Sequence, residues 1–219
     1  MRVTSHGELK LSFLEKPLMN WRIRRIMKYL IPGSTLADLG CGFNANFLNI
    51  IQKRSSFEVL IGIDINVNNS LNSKKIRLIS ADLNKTIPID SETVDVVVSL
   101  AVLEHLSNPE SYLNEVFRIL KKGGALVLTT PAPIAKPILE FLSYKLGLID
   151  ESEIRDHKFY YSLDDIRSLL FLQKTSSFNL KRFSLLGIFF PVKLLILVMI
   201  RSVASFSTIF NSFLRQFFD

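Results

Sequence analysis

The sequence predicts an α/β protein, a mostly parallel sheet with helices on both faces. Three observations carry that reading. Five short apolar runs, rich in β-branched residues, follow one another along the chain as buried parallel strands do. Helix-length stretches separate most of them, and strand–helix alternation closes most readily as a parallel sheet. A turn holding two glycines, "DLGCG", directly follows the first run.

In chain order, Leu18 to Leu30 comes first. Leu18, Trp21, Ile26 and Leu30 fall near one helical face, with Arg22, Arg24, Arg25 and Lys28 elsewhere, so the segment reads as an amphipathic helix ended by Pro32-Gly33. Strands are expected at 34–40, 58–65, 76–83, 93–100 and 125–130, with a helix over 45–54 between the first two. Between the fourth and fifth, "NPESYLNEVFRILKKGG" reads as a stronger helix. Asn108 caps it, Pro109 suits its first turn, and Tyr112, Leu113, Val116, Phe117 and Leu120 recur at helical spacing. Lys121 and Lys122 are expected to complement its C-terminal dipole, and Gly123-Gly124 to stop it. After Thr130 the pattern changes to a proline-rich stretch, a helix over 138–146, the loop "DHKFYY" and a helix begun by Ser162. The stretch "FNLKRFSLLGIFF" reads as a late strand or pair of strands.

At 219 residues the chain has room for one such domain. An apolar content of 48%, with 17 phenylalanines, fills a core and leaves apolar surface over. The net charge of +7 favours anionic partners without choosing among them. Its basic residues are scattered with no aromatic–basic face, so nucleic acid is not an expected partner. A lone cysteine excludes an intramolecular disulfide, and Cys41, between two glycines, reads as a small residue in a tight turn. No spaced histidine or carboxylate cluster calls for a metal, and none is expected. The N-terminus lacks a secretory pattern, so a cytoplasmic active site is the expectation.

The glycine turn admits two cofactors. Gly40, Gly42 and Ala45 fit the dinucleotide pattern, with Asp64 near the spacing of a ribose-binding acid, which is an NAD-linked dehydrogenase reading. Asp38 argues otherwise, because the dinucleotide pattern needs no acid there. Together "LADLGCG", "GIDIN", "SADL" and "VVVSLAVLEHLSNPESYLNEVFRILKKGGALVLTTP" resemble the motif series of the class I S-adenosylmethionine-dependent methyltransferases, over roughly residues 20–131. The resemblance implies a Rossmann-like sheet closed by an antiparallel hairpin, with S-adenosylmethionine as cofactor. It implies that Asp38 and the Gly40-Cys41-Gly42 backbone hold the amino-acid end, and that Asp64 accepts from the ribose hydroxyls. Asp82 and Leu83 would take the adenine, and Ser99 and Leu100 would lie beneath the methyl donor. Where many relatives carry a third glycine, this chain reads Phe43-Asn44-Ala45-Asn46, and the turn need not fail because Asn44 tolerates a left-handed conformation.

A hydroxyl acceptor needs a base, and two histidines qualify: His105 in "LEHLSNP", and His157 in "EIRDHKFYY". His105 has a structural reading too, ordering the loop over the cofactor, and Glu104 serves architecture or substrate orientation. Asp156 is expected to point away from its neighbour His157. The domain is thus expected over 1–187, with 18–131 as cofactor-binding core and 132–187 as acceptor-recognition region and late strands. Residues 188–219 read as an apolar, helical C-terminal tail that lies in a membrane interface, or else packs on protein or in a homodimer contact. The expectation is a methyltransferase, peripheral on the inner membrane face, acting on a small-molecule or lipid-linked acceptor such as a cell-envelope saccharide. Quinone or isoprenoid-lipid O-methylation is the alternative, and a non-catalytic cofactor-binding module lies outside the class.

Overall fold

The computed structural model describes residues 20, 23, 24, 26–147, 151–171, 178, 179 and 194–200. Seven strands form one sheet in the order β3-β2-β1-β4-β5-β7-β6. They are β1 (Thr35–Leu39), β2 (Val59–Asp64), β3 (Ile76–Ser80), β4 (Val94–Leu100), β5 (Leu120–Pro131), β6 (Phe178–Asn179) and β7 (Leu194–Ile200). The first five pair in parallel, as the apolar runs predict, and β7 pairs antiparallel with both β5 and β6. The order reverses between β1 and β4, and the carboxyl ends of those neighbours mark where an open α/β sheet binds ligand.

Helices α1 (Asn46–Ile51), α2 (Pro109–Ile119), α3 (Lys136–Glu140), α4 (Glu151–Arg155) and α5 (Leu163–Phe171) complete the described core. Alternation along β1 separates two apolar layers. Ala37 and Leu39 face a cluster holding Tyr112, Leu113 and Val116 of α2 with Ile166 and Leu170 of α5. Leu36 faces the other, with Phe47, Leu48 and Ile51 of α1 and the N-terminal Ile23, Ile26 and Leu30. Asn20, Ile23, Arg24 and Ile26 are helical, in keeping with an amphipathic opening helix that passes through a 3₁₀ turn at Met27–Tyr29. The helix expected over 138–146 starts earlier, as a 3₁₀ turn at Pro133–Ala135, and continues from α3 into a π-helical turn at Phe141–Lys145. Ser162 caps α5 reciprocally: its hydroxyl accepts from Asp165 N, and the Asp165 carboxylate accepts from Ser162 N.

Two expectations are corrected. Helix α2 stops at Ile119, before the lysines rather than after them, and Leu120 already pairs with Val94 of β4. Lys121 is drawn away from the helix end by Asp95, whose carboxylate oxygens both lie 2.9 Å from its ammonium. Arg118 takes the basic place in the last turn. The second correction concerns the tail. Leu194–Ile200 is not part of a helix but the strand β7, in register with β5 from Ala125↔Ile200 to Pro131↔Leu194. A continuous apolar run of seven residues suits a strand covered on both faces as well as it suits a helix, and the antiparallel site beside β5 decides the matter. The rest of 188–219, and most of "FNLKRFSLLGIFF", lie outside the described residues.

Candidate active site

The turn after β1 is built by two glycines with different reasons to be there. Gly40 has φ +84, and a Cβ on it would stand 2.3 Å from Val102 Cγ2. Gly42 has φ +71 with nothing within 4 Å of such a Cβ, so its bare face looks onto open space. Gly40 N and Cys41 N both donate to Ile63 O on β2, at 2.7 and 3.1 Å, which ties the turn to the neighbouring strand. The Cys41 side chain is buried against Gly62, where an added Cβ would come within 2.9 Å of Sγ. Burial, then Asp38 and Asp64, push its thiol pKa up. Cys41 is a packing residue, as its sequence context predicts.

Besides its two glycines, the left-handed residue of the turn is Ala45. Ala45 has φ 44 and ψ 46 at the N-cap of α1, and Asn44 instead offers its carbonyl to Asn49 Nδ2 at 2.9 Å. A Cβ in that region costs about 1–2 kcal/mol, against roughly 0.5–1 kcal/mol for glycine's extra chain entropy. Ala45→Gly is therefore expected to stabilise the chain by about 0.5–1 kcal/mol, read as a melting temperature higher by roughly 1–4 °C.

Three acids were predicted to hold ligand. Asp38, in β1, is 2% exposed, and burial, then the nearby Asp64, raise its pKa to about 8. Asp64 closes β2 with both oxygens oriented by backbone donors: Gly42 N to Oδ2 at 2.9 Å and Ile65 N to Oδ1 at 2.8 Å. Each oxygen retains a second lone pair for a ligand hydroxyl. Two carboxylates buried together make a pocket that is relieved by a cation. Asp82 lies two residues past the end of β3 and forms an Asx turn, accepting from Asn84 N at 2.9 Å, which holds its pKa low. Leu83 is buried in the core, anchoring that turn.

At the end of β4, Ser99 is fully buried and accepts a 2.8 Å hydrogen bond from Tyr112 of α2, while Leu100 is partly buried. Ala101 follows at φ 57, held by Thr129 O and Oγ1, and turns the chain into a 3₁₀ segment at Leu103–His105. Glu104 is fully buried and Oε2 accepts from Thr130 Oγ1 of β5 at 3.1 Å. His105 is 7% exposed, and its Nδ1 lies 3.0 Å from Asp156 Oδ2.

That last contact agrees with the reading of Asp156 and gives it a partner: its carboxylate lies on His105 rather than on its chain neighbour. The chain after α4 lies across the 3₁₀ segment: Lys158 N and Phe159 N both donate to Glu104 O, and Lys158 Nζ donates to Ser107 Oγ at 2.7 Å. This strap also brings the two histidine rings together, centroids 4.8 Å apart and edge-on, with the Tyr160 hydroxyl 3.0 Å from His157 Nδ1. Sequence reasoning named both histidines singly. Their juxtaposition depends on a loop crossing that no local pattern encodes.

The switch point of the strand order, the bare glycine and the buried acid pair lie together at the carboxyl ends of β1, β2 and β4, where an open α/β sheet takes its ligand. Residues 37–128 match the family model described as a methyltransferase domain. The mitochondrial ubiquinone biosynthesis O-methyltransferase of Rattus norvegicus is 24% identical over 169 residues, covering 68% of this chain and 44% of that protein. The chain spans less than half the length of the curated relatives it matches. Among solved structures, a putative methyltransferase of Haloferax volcanii, in complex with its Trm112 activator, has a TM-score of 0.64 at 15% identity, covering 85% of this chain and 93% of that one. An S-adenosylmethionine-dependent methyltransferase of Mesorhizobium loti has a TM-score of 0.63 at 16% identity, covering 84% and 98%. Residues 37–128 thus match a methyltransferase domain, on a fold shared with solved S-adenosylmethionine-dependent methyltransferases, and these likenesses support S-adenosylmethionine as the cofactor. The dinucleotide reading of the glycine turn is set aside accordingly.

Proposed function

We propose that this chain methylates a hydroxyl of a small, lipid-linked acceptor, with a quinone-type or other isoprenoid-bearing ring the favoured case. The observation that carries the hydroxyl is the His105–Asp156 pair at the end of β4. With a carboxylate at Nδ1, neutral His105 keeps its proton there and has Nε2 as its basic atom. When bound, S-adenosylmethionine supplies a methyl group already activated on sulfur, which departs as a neutral thioether. The chain's work is to align the acceptor oxygen and remove its proton. Asp38 and the Gly42 backbone hold the amino-acid end, Asp64 orients the ribose, and Asp82 with Leu83 receives the adenine. The strap over Glu104 places the acceptor against His105 and His157.

The lipid character draws support from exposed apolar residues after β5. Ile134, Phe141 and Tyr144 recur at helical spacing and stay at least 44% exposed. The ubiquinone-pathway relative favours the same chemistry. A saccharide acceptor is the second reading, favoured by Phe159, Tyr160 and Tyr161 along an open groove of about 440 Å³ beside α5.

Labelled methyl transfer to a hydroxylated polyprenyl phenol tests the proposal. His105→Ala is expected to lower the rate by roughly 10²–10⁴-fold while cofactor affinity holds. Undiminished transfer in that variant would remove His105 from the chemistry. For location, we propose peripheral attachment to the inner membrane face through the apolar C-terminal residues. Among the described residues, no helix is long and apolar enough to cross a membrane. Deleting 188–219 would also remove β7, so the informative truncation is 201–219. The shortened chain is expected to lose sedimentation with anionic lipid vesicles, and retained binding would reject the attachment.

A further inference from the structure

We propose that the groove between the start of α2 and α5 is a binding site for an organic ammonium ion. Its volume of about 440 Å³ is that of a small-molecule site, and Phe159, Tyr160 and Tyr161 of the strap form its aromatic wall. Glu110 of α2 and Asp165 of α5 line it as well, and among the described residues no lysine, arginine or histidine does. On a chain of net charge +7 this is a local reversal of sign.

Both carboxylates have charge to spare. Glu110 is exposed and makes no hydrogen bond or ion pair among the described residues. Asp165 Oδ2 accepts from Ser162 Oγ at 2.6 Å and from Ser162 N at 2.8 Å, and both bonds hold its pKa low. Its Oδ1 has no partner among the described residues. Cations nearby are engaged elsewhere: Arg167 Nη1 donates to Asp164 Oδ1 at 2.8 Å, and Lys158 Nζ to Ser107 Oγ. A first-turn acid complements a helix dipole, which accounts for each acid on its own. It does not account for two such turns opening onto one aromatic wall.

The independent observation is the Tyr161 hydroxyl. Tyr161 is 6% exposed, and its phenol oxygen, buried on the groove floor, has no hydrogen-bond partner among the described residues. Buried polar groups are rarely left so, and a ligand N–H is what this oxygen lacks. Burial, then Glu104 and Asp165, raise its pKa to about 12, so it stays a neutral acceptor, and the influence of Asp165 puts phenol and carboxylate close together. The Phe159 and Tyr161 rings stand 5.8 Å apart and tilted by 38°, with Phe159 46% exposed, so an aromatic face is open to a cation. Lys136 Nζ, 5.7 Å over the Tyr160 ring, already uses one face of the strap in that way. A saccharide would use the same rings, but the unmatched negative charge selects an ammonium. The site does not rest on the methyl-transfer reading.

The test titrates the full chain with benzylammonium by calorimetry, in the presence of S-adenosylhomocysteine so that the probe is kept from Asp38, with benzyl alcohol as the uncharged match. Benzylammonium should bind at about millimolar affinity or tighter and benzyl alcohol at least about 10-fold more weakly, and the ammonium's affinity should fall as salt is added. Glu110→Gln should weaken it roughly 2–5-fold. Tyr161→Phe removes only the hydroxyl and should weaken it roughly 10-fold or more, with the melting temperature unchanged or raised because an orphan is deleted. Circular dichroism of each variant confirms folding, and the exposed Glu110 is the safer substitution. Equal affinity for the alcohol, binding indifferent to both substitutions, tighter binding of methyl glucoside, or early melting of the Tyr161→Phe chain would each overturn the assignment. Uptake of S-adenosylhomocysteine in the same sample reports separately on the methyltransferase reading.

Discussion

Uptake of S-adenosylmethionine at pH 7 should expel most of one proton per chain. The Asp38 pKa is raised to about 8 in the free protein, by burial first and by Asp64 second, so at pH 7 about nine-tenths of the chains carry it protonated. A cationic amino group docked beside it favours the carboxylate, and the proton must leave. Affinity should then rise with pH up to about 8, by nearly tenfold per unit at the acid end. Above that the cofactor's own amino group, with an ordinary pKa of about 8, must gain a proton to bind, and affinity falls again. Calorimetry in buffers of different ionisation heat reads the released proton directly. Asp38→Asn should abolish both the release and the acid limb. A binding heat independent of buffer would show that Asp38 is not the partner of the ammonium.

The same shift has the opposite sign for the free chain. Between the ordinary value of 3.8 and about 8, the folded state holds a proton that the unfolded state has released. Raising pH across that window therefore favours unfolding, and this contribution levels off above it. Asp38→Asn should flatten the slope. The acid pair thus lowers the stability of the empty protein at neutral pH, and a cation docked beside it would relieve that cost.

The second large effect separates the two turn glycines. Gly40→Ala adds a left-handed Cβ and drives it to 2.3 Å from Val102 Cγ2, the branch of a side chain stiff at χ1. Strain of about 1–2 kcal/mol and overpacking of about 1–3 kcal/mol add to roughly 2–5 kcal/mol, a melting temperature lower by about 4–20 °C. Val102→Ala in the same chain should recover the overpacking part only. Gly42→Ala meets no atom within 4 Å and should cost only the strain, roughly 1–2 kcal/mol. Its methyl group nevertheless enters the space through which the cofactor approaches the backbone, and affinity should drop by roughly 10–100-fold. A folded Gly42→Ala chain with unaltered affinity would place the ligand elsewhere.

The parallel strands were legible because each is a short apolar run with its own boundaries, and β1 to β5 fall within or around their expected ranges. Helix α2 was legible at its start, where Asn108 and Pro109 act locally. Its end was not, because the lysines answer to Asp95 on another strand. Nor was β7: an apolar run carries no mark of the partner that will extend it. The acids of the turn were visible from motif order, and their mutual burial only from the fold. The Asp156–His105 contact and the closeness of the two histidines arise from a crossing between segments far apart in sequence, which no local pattern carries.

Cys41 seated on Gly62 makes the protein its own reporter. The chain has a single thiol, and that thiol is shut beneath the first crossover. Alkylating reagents can reach it only when that part of the sheet opens, so the rate of thiol trapping measures the opening free energy without any engineered label. Ligands that tighten the turn will slow the trapping in proportion to their occupancy, which turns one unreactive sulfur into a screen for whatever this protein binds.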